Sequence, residues 1–128
     1  MSYLIRKTDT FLRNWKKNPD RYPLIIKGAR QVGKTETIRK FAKENYKNLV
    51  EINFITEPAY KTIIDEGFSA DNILKLISRI DPSKHFDAGE TLLFFDEIQD
   101  FPEIATSLKF FKENGKYDVI CSGSLLGV

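Results

Sequence analysis

Two stretches of this chain carry residues whose types and spacing could do chemistry. The first is Gly28-Ala29-Arg30-Gln31-Val32-Gly33-Lys34-Thr35. Two glycines bracket four residues and are followed by Lys-Thr, the pattern of a phosphate-binding loop. Gly28 and Gly33 permit backbone angles that a side chain would forbid, so the chain can wrap closely around an anion. Main-chain N–H groups of such a loop, and the start of the helix after it, point at the phosphate. Lys34 supplies a compact positive charge, and the Thr35 hydroxyl can bind the Mg²⁺ that accompanies a nucleotide. The second stretch is Asp96-Glu97, directly after the apolar run Thr91 to Phe95. There Asp96 can hold Mg²⁺ through a water, and Glu97 can orient and deprotonate an attacking water.

These residues need elements to place them. Leu24 to Lys27 reads as a short buried strand, and Lys34 to Tyr46 as a helix with Ile38, Phe41 and Ala42 on one face. The glycines therefore sit where a strand turns into a helix. Thr91 to Phe95 is continuously apolar, as a central parallel strand covered on both faces must be. Both motifs then fall at carboxyl ends of strands, the edge where open α/β sheets bind ligands.

The remaining elements follow from the same signals. Leu4, Thr8, Phe11, Leu12 and Trp15 mark one face of an N-terminal helix, expected to pack on the strand after it. Leu49 to Phe54 alternates as a second strand. Thr56-Glu57-Pro58 starts a short helix that Gly67 ends. Ser69 caps a helix with an apolar stripe of Ile73, Leu76, Ile77 and Ile80. Asp100-Phe101-Pro102-Glu103 reads as a capping box for a helix carrying Ile104, Leu108 and Phe111, closed by Asn114-Gly115. Tyr117 to Cys121 is the last strand, and Ser122-Gly123-Ser124 follows it. Strands alternating with helices give a parallel α/β sheet.

Composition narrows the function classes. The 128 residues suffice for one core, and 41% are hydrophobic. Net charge is +2, from 20 basic and 18 acidic residues, which does not indicate nucleic acid. Cys121 is the only cysteine, which fits a reducing compartment. No apolar run is long enough to span a bilayer, and the N-terminus lacks a signal-peptide core. The expectation is a cytoplasmic protein with no membrane partner. His85, the only histidine, sits on a polar loop and reads as a surface residue. Arg30, Gln31 and Gln99 stay open between a nucleotide-linked role and a solvent-facing one.

With Ser-Gly-Ser-Leu-Leu-Gly at 122–127 added, the two motifs resemble a prokaryotic branch of AAA-type P-loop ATPases. The resemblance runs from near Trp15 to Val128. It implies a three-layer α/β/α fold with a parallel sheet in the order 2-3-4-1. It implies ATP and Mg²⁺ as cofactors, with nucleotide contacts from Gly28, Ala29, Arg30, Gln31, Val32, Gly33, Lys34, Thr35 and Thr37. Thr35 and Asp96 match the metal positions. Glu97, Lys34 and Ser124 match the catalytic ones, Ser124 as a sensor of the terminal phosphate with Ser122 the alternative. The whole of 1–128 then reads as an ATPase core. A fifth strand beside the first, a helical lid and a C-terminal domain are missing from this sequence, so a longer protein is expected, and an oligomer is possible. The expected function is ATP binding with Mg-dependent hydrolysis in the intact protein. The rival is a nucleotide-gated interaction module with little turnover. A GTPase fits less well, because the guanine-reading Asn-Lys-x-Asp element is absent.

Overall fold

The computed structural model describes residues 3–28 and 33–124. In chain order its elements are α1 (Tyr3–Lys17), β1 (Leu24–Gly28), α2 (Lys34–Asn45), β2 (Asn48–Asn53), α3 (Ala70–Ile80), β3 (Thr91–Asp96), α4 (Leu108–Asn114) and β4 (Asp118–Ser124). The strands pair in parallel in the order β1-β4-β3-β2, the expected order read from the other edge. β3 is buried along its whole length. Its side chains alternate, so Leu93 and Phe95 join the core beneath α3 and α4, while Leu92 and Phe94 join the core beneath α1 and α2. Helices cover both faces, which makes the fold three-layered α/β/α. Among the described residues, no helix is long and apolar enough to cross a membrane.

Several local expectations hold. The Ser69 hydroxyl accepts from the Asn72 amide at 3.2 Å and caps α3. Gly115, at φ 71°, ends α4 in the left-handed conformation that glycine adopts without strain. The stretch from Pro58 to Ile64 is a 3₁₀ helix.

Other expectations are corrected. α1 packs chiefly on α2 rather than on β1. Leu12 and Trp15 enter the cluster of Ile38, Phe41 and Ala42, and the Trp15 and Phe41 rings lie 6.3 Å apart. Phe11 faces outward at 55% exposure, and the side chain of Leu4 lies outside the described set. In α3, Leu74 is buried where Ile80 was expected, because Ile73, Leu74 and Ile77 share the inner arc and Ile80 lies past its end. No capping box forms at Asp100. Its carboxylate instead accepts from Lys61 Nζ at 2.8 Å, Ile98–Asp100 and Pro102–Ser107 form two 3₁₀ turns, and α4 begins only at Leu108. Last, β4 runs through Ser122-Gly123-Ser124, held there by pairing of Ser124 with Gly28 of β1. β1 is an edge strand, and Ile25 on it is 41% exposed.

Candidate functional site

The carboxyl ends of β1, β4 and β3 form one rim, and α2 starts against it. Gly33 precedes α2 with φ 73° and ψ 25°, a left-handed geometry that penalises any residue with a Cβ. Residues 29–32 lie outside the described residues, and with them the expected nucleotide contacts of Ala29, Arg30, Gln31 and Val32. Lys34 opens α2 and is only 8% exposed. Its Nζ donates to the carbonyl oxygens of Gly28 at 2.9 Å and Gly123 at 2.7 Å, so it bridges the ends of β1 and β4. One residue on, Thr35 Oγ1 donates to Asp96 Oδ2 at 3.0 Å. Thr37 is buried, with its amide on the Gly33 carbonyl.

Asp96 ends β3 on the face that α2 covers and is 3% exposed. Its Oδ1 accepts from the Glu97 amide at 2.9 Å. Burial pushes the Asp96 carboxyl above the ordinary carboxylate range. The Thr35 hydroxyl pulls it down, and the Glu97 charge pushes it up again. An acid raised in this way keeps its proton longer in the folded state than in the unfolded chain. Its contribution to stability is greatest below the ordinary pKa of about 3.9 and falls as pH rises through the folded value. The ionised carboxylate is thus a cost to the nucleotide-free fold at neutral pH. Asp96→Asn keeps the contacts: Oδ1 can take the Glu97 amide, and the side-chain amide can donate to the Thr35 hydroxyl. In EDTA, the Asp96→Asn variant is expected to melt about 2–5 °C above the wild type near pH 7.5, with the gap closing near pH 4. Calorimetry across that range checks it; an equal or lower melting point at pH 7.5 would contradict the sign.

Glu97 is the one non-glycine residue with positive φ among the described residues, at φ 59° and ψ 47°. A left-handed glutamate costs on the order of 1 kcal/mol, and surrounding contacts must hold it. One is visible: Gln99 Nε2 donates to Glu97 Oε2 at 2.8 Å. The other end of the same side chain, Gln99 Oε1, accepts from the Ser124 amide at 3.0 Å. The sequence around Gln99 allows two roles; only the proximity of β4 decides that it bridges. Ser122 and Ser124 follow Ile120 on the α2-facing side of β4, and both are buried in the strand. Among the described residues, Ser122 Oγ has no hydrogen-bond partner, and a hydroxyl buried in that way carries a desolvation cost. Cys121 is buried on the opposite face, and burial pushes its thiol up to about 12, so it is a core residue and not a nucleophile.

The donor set suits a nucleotide with Mg²⁺. Thr35 and Asp96 offer hard oxygen atoms side by side, and Ser122 Oγ is a buried polar atom with no partner among the described residues. Among the described residues, no three His, Cys, Asp or Glu side chains converge to hold a metal alone. Few protein ligands, with the rest from phosphates and water, is how Mg²⁺ is ordinarily bound.

A family model described as an AAA domain matches residues 20–128. No curated protein matches. Among solved structures, the chain is similar to PCH-2 of C. elegans, at 14% identity and a TM-score of 0.48. That match covers 94% of this chain and 34% of the other, so the chain spans about a third of PCH-2.

Proposed function

This chain belongs to the AAA domain family, whose members are nucleotide-binding modules of the ATPase type, and from that premise we propose that it binds ATP and hydrolyses it with Mg²⁺. The observation that carries the reading is the 3.0 Å hydrogen bond between Thr35 and Asp96, residues 61 apart in sequence. It joins the start of the phosphate-binding helix to the acidic end of the central strand. Lys34 exchanges its two carbonyl partners for phosphate oxygens, acceptors of the same kind carrying more charge. Thr35 and Asp96 would hold Mg²⁺, which when bound would neutralise charge on the terminal phosphates. Glu97 takes a proton from the attacking water as that oxygen bonds to the γ-phosphorus. The bond from that phosphorus to the bridging oxygen breaks, and ADP leaves with the electron pair. Ser124 reads the terminal phosphate from the end of β4. Gly28 and Gly33 frame the loop. The enzyme so described is cytoplasmic, in keeping with its single buried cysteine.

Titration with ATP in Mg²⁺ and in EDTA, paired with phosphate release by the intact protein, tests the proposal. ATP should bind, GTP should compete poorly, and release should stop in EDTA. No nucleotide binding would end the reading. Binding without Mg-dependent release would favour a nucleotide-gated interaction module instead.

A further inference from the structure

We propose that Gln99 is the positioning residue for Glu97, and that it works by resting on the Gly123–Ser124 peptide group. The inference rests on the ATPase reading above. The Gly123 carbonyl and the Ser124 amide are the two ends of one peptide group. The carbonyl accepts from Lys34 Nζ at 2.7 Å, and the amide donates to Gln99 Oε1 at 3.0 Å. Gln99 Nε2 then donates to Glu97 Oε2 at 2.8 Å. Without nucleotide, the hydrogen bonds run unbroken from Lys34 to Glu97, and bonds in such a chain polarise one another.

Space for the bridge is also built in. A Cβ at Gly123 would stand 3.2 Å from Ile98 Cγ1 and 3.3 Å from Gln99 Oε1, tighter than ordinary contact. Glycine inside a strand commonly marks such a close approach. Glu97 is thus fixed from three sides: a left-handed backbone, an amide bonded to Asp96 Oδ1, and a carboxylate held by Gln99. Each of those partners is itself tied down, Asp96 by Thr35 and Gln99 by Ser124. A base must lie within hydrogen-bond reach of the proton that it removes, so fixing its side chain beforehand spares that ordering on each turnover.

Gln99→Met keeps the length of the side chain and removes both hydrogen bonds. In the intact protein it should lower kcat about 5- to 30-fold, the equivalent of freezing a glutamate side chain, with ATP affinity held within about threefold. Two further readouts separate positioning from general structural damage. Without nucleotide, the Ser124 amide should exchange with solvent about tenfold faster in Gln99→Met, since it loses the Gln99 Oε1 acceptor. In a Glu97→Gln background, adding Gln99→Met should slow turnover no further, because a residue acting through Glu97 has nothing left to act on. Unchanged Ser124 exchange, or additive slowing in the double variant, would overturn the proposal. Faster exchange in a protein whose wild type hydrolyses no ATP would defeat the ATPase reading and catalytic positioning with it, while leaving the bridge in place. Should Gln99→Met fail to fold, Gly123→Ala pushes on Gln99 Oε1 from the strand side. It should give the same faster exchange and the same epistasis with Glu97→Gln, and the absence of either counts against the proposal.

Discussion

Glu97→Gln is expected to slow ATP hydrolysis by about 10²–10⁴-fold, the usual worth of a general base, with ATP affinity held within about threefold. The structure makes this a clean substitution. Glutamine is isosteric with glutamate, so the left-handed backbone at φ 59° carries the same strain before and after. A side-chain amide at position 97 still offers an oxygen to Gln99 Nε2, and the main-chain amide still bonds Asp96 Oδ1. What disappears is the capacity to take a proton. Single-turnover phosphate release, measured beside a fluorescent-nucleotide titration, separates the two quantities. Hydrolysis at the wild-type rate would remove Glu97 from the mechanism, because no surviving contact could explain a retained base function. A loss of binding as large as the loss of turnover would assign Glu97 to gripping the nucleotide instead.

How far this site could be read from sequence depends on how local its determinants are. The strand before Gly28, the helix after Gly33 and the buried run ending at Asp96 are written in contiguous residues and form where expected, but β1, expected to be buried, is an edge strand with no fully buried residue. The sheet order came from a resemblance, and parallel pairing realises it. Ser122-Gly123-Ser124 was misplaced because small polar residues favour turns when taken alone. Here the edge of β1 supplies ladder partners that keep them extended. The helix expected from Asp100 failed for a related reason. Asp100 finds Lys61 rather than a helix N-terminus, and Phe101, at φ −150°, separates two 3₁₀ turns before α4 begins. Gln99 is the extreme case. Both its partners lie at strand ends, one of them 25 residues away, and no spacing rule connects them. Type and spacing thus reveal residues that act through their own helix or strand; residues that act by spanning two elements emerge only from coordinates.

Lys34→Met tests the other half of the mechanism, the grip on phosphate. ATP affinity is expected to fall about 30- to 1,000-fold, the equivalent of about 2–4 kcal/mol for losing charged hydrogen bonds to phosphate. The fold should survive. Lys34 now holds an ammonium at 8% exposure with the Gly28 and Gly123 carbonyls as partners. Methionine fills a similar volume, removes the burial cost of the charge and gives up those two bonds, so the opposed effects leave the melting temperature within about 5 °C. Calorimetric titration with ATP, beside a thermal melt without nucleotide, reports both. Undiminished binding would mean that Lys34 stays on its two carbonyls when nucleotide arrives, serving as a staple between β1 and β4. In that event the Gly123 carbonyl would keep its lysine partner in the nucleotide-bound state as well. Lost binding with an intact fold would instead show one side chain doing both tasks in turn, closing the rim of the sheet until a triphosphate takes its ammonium.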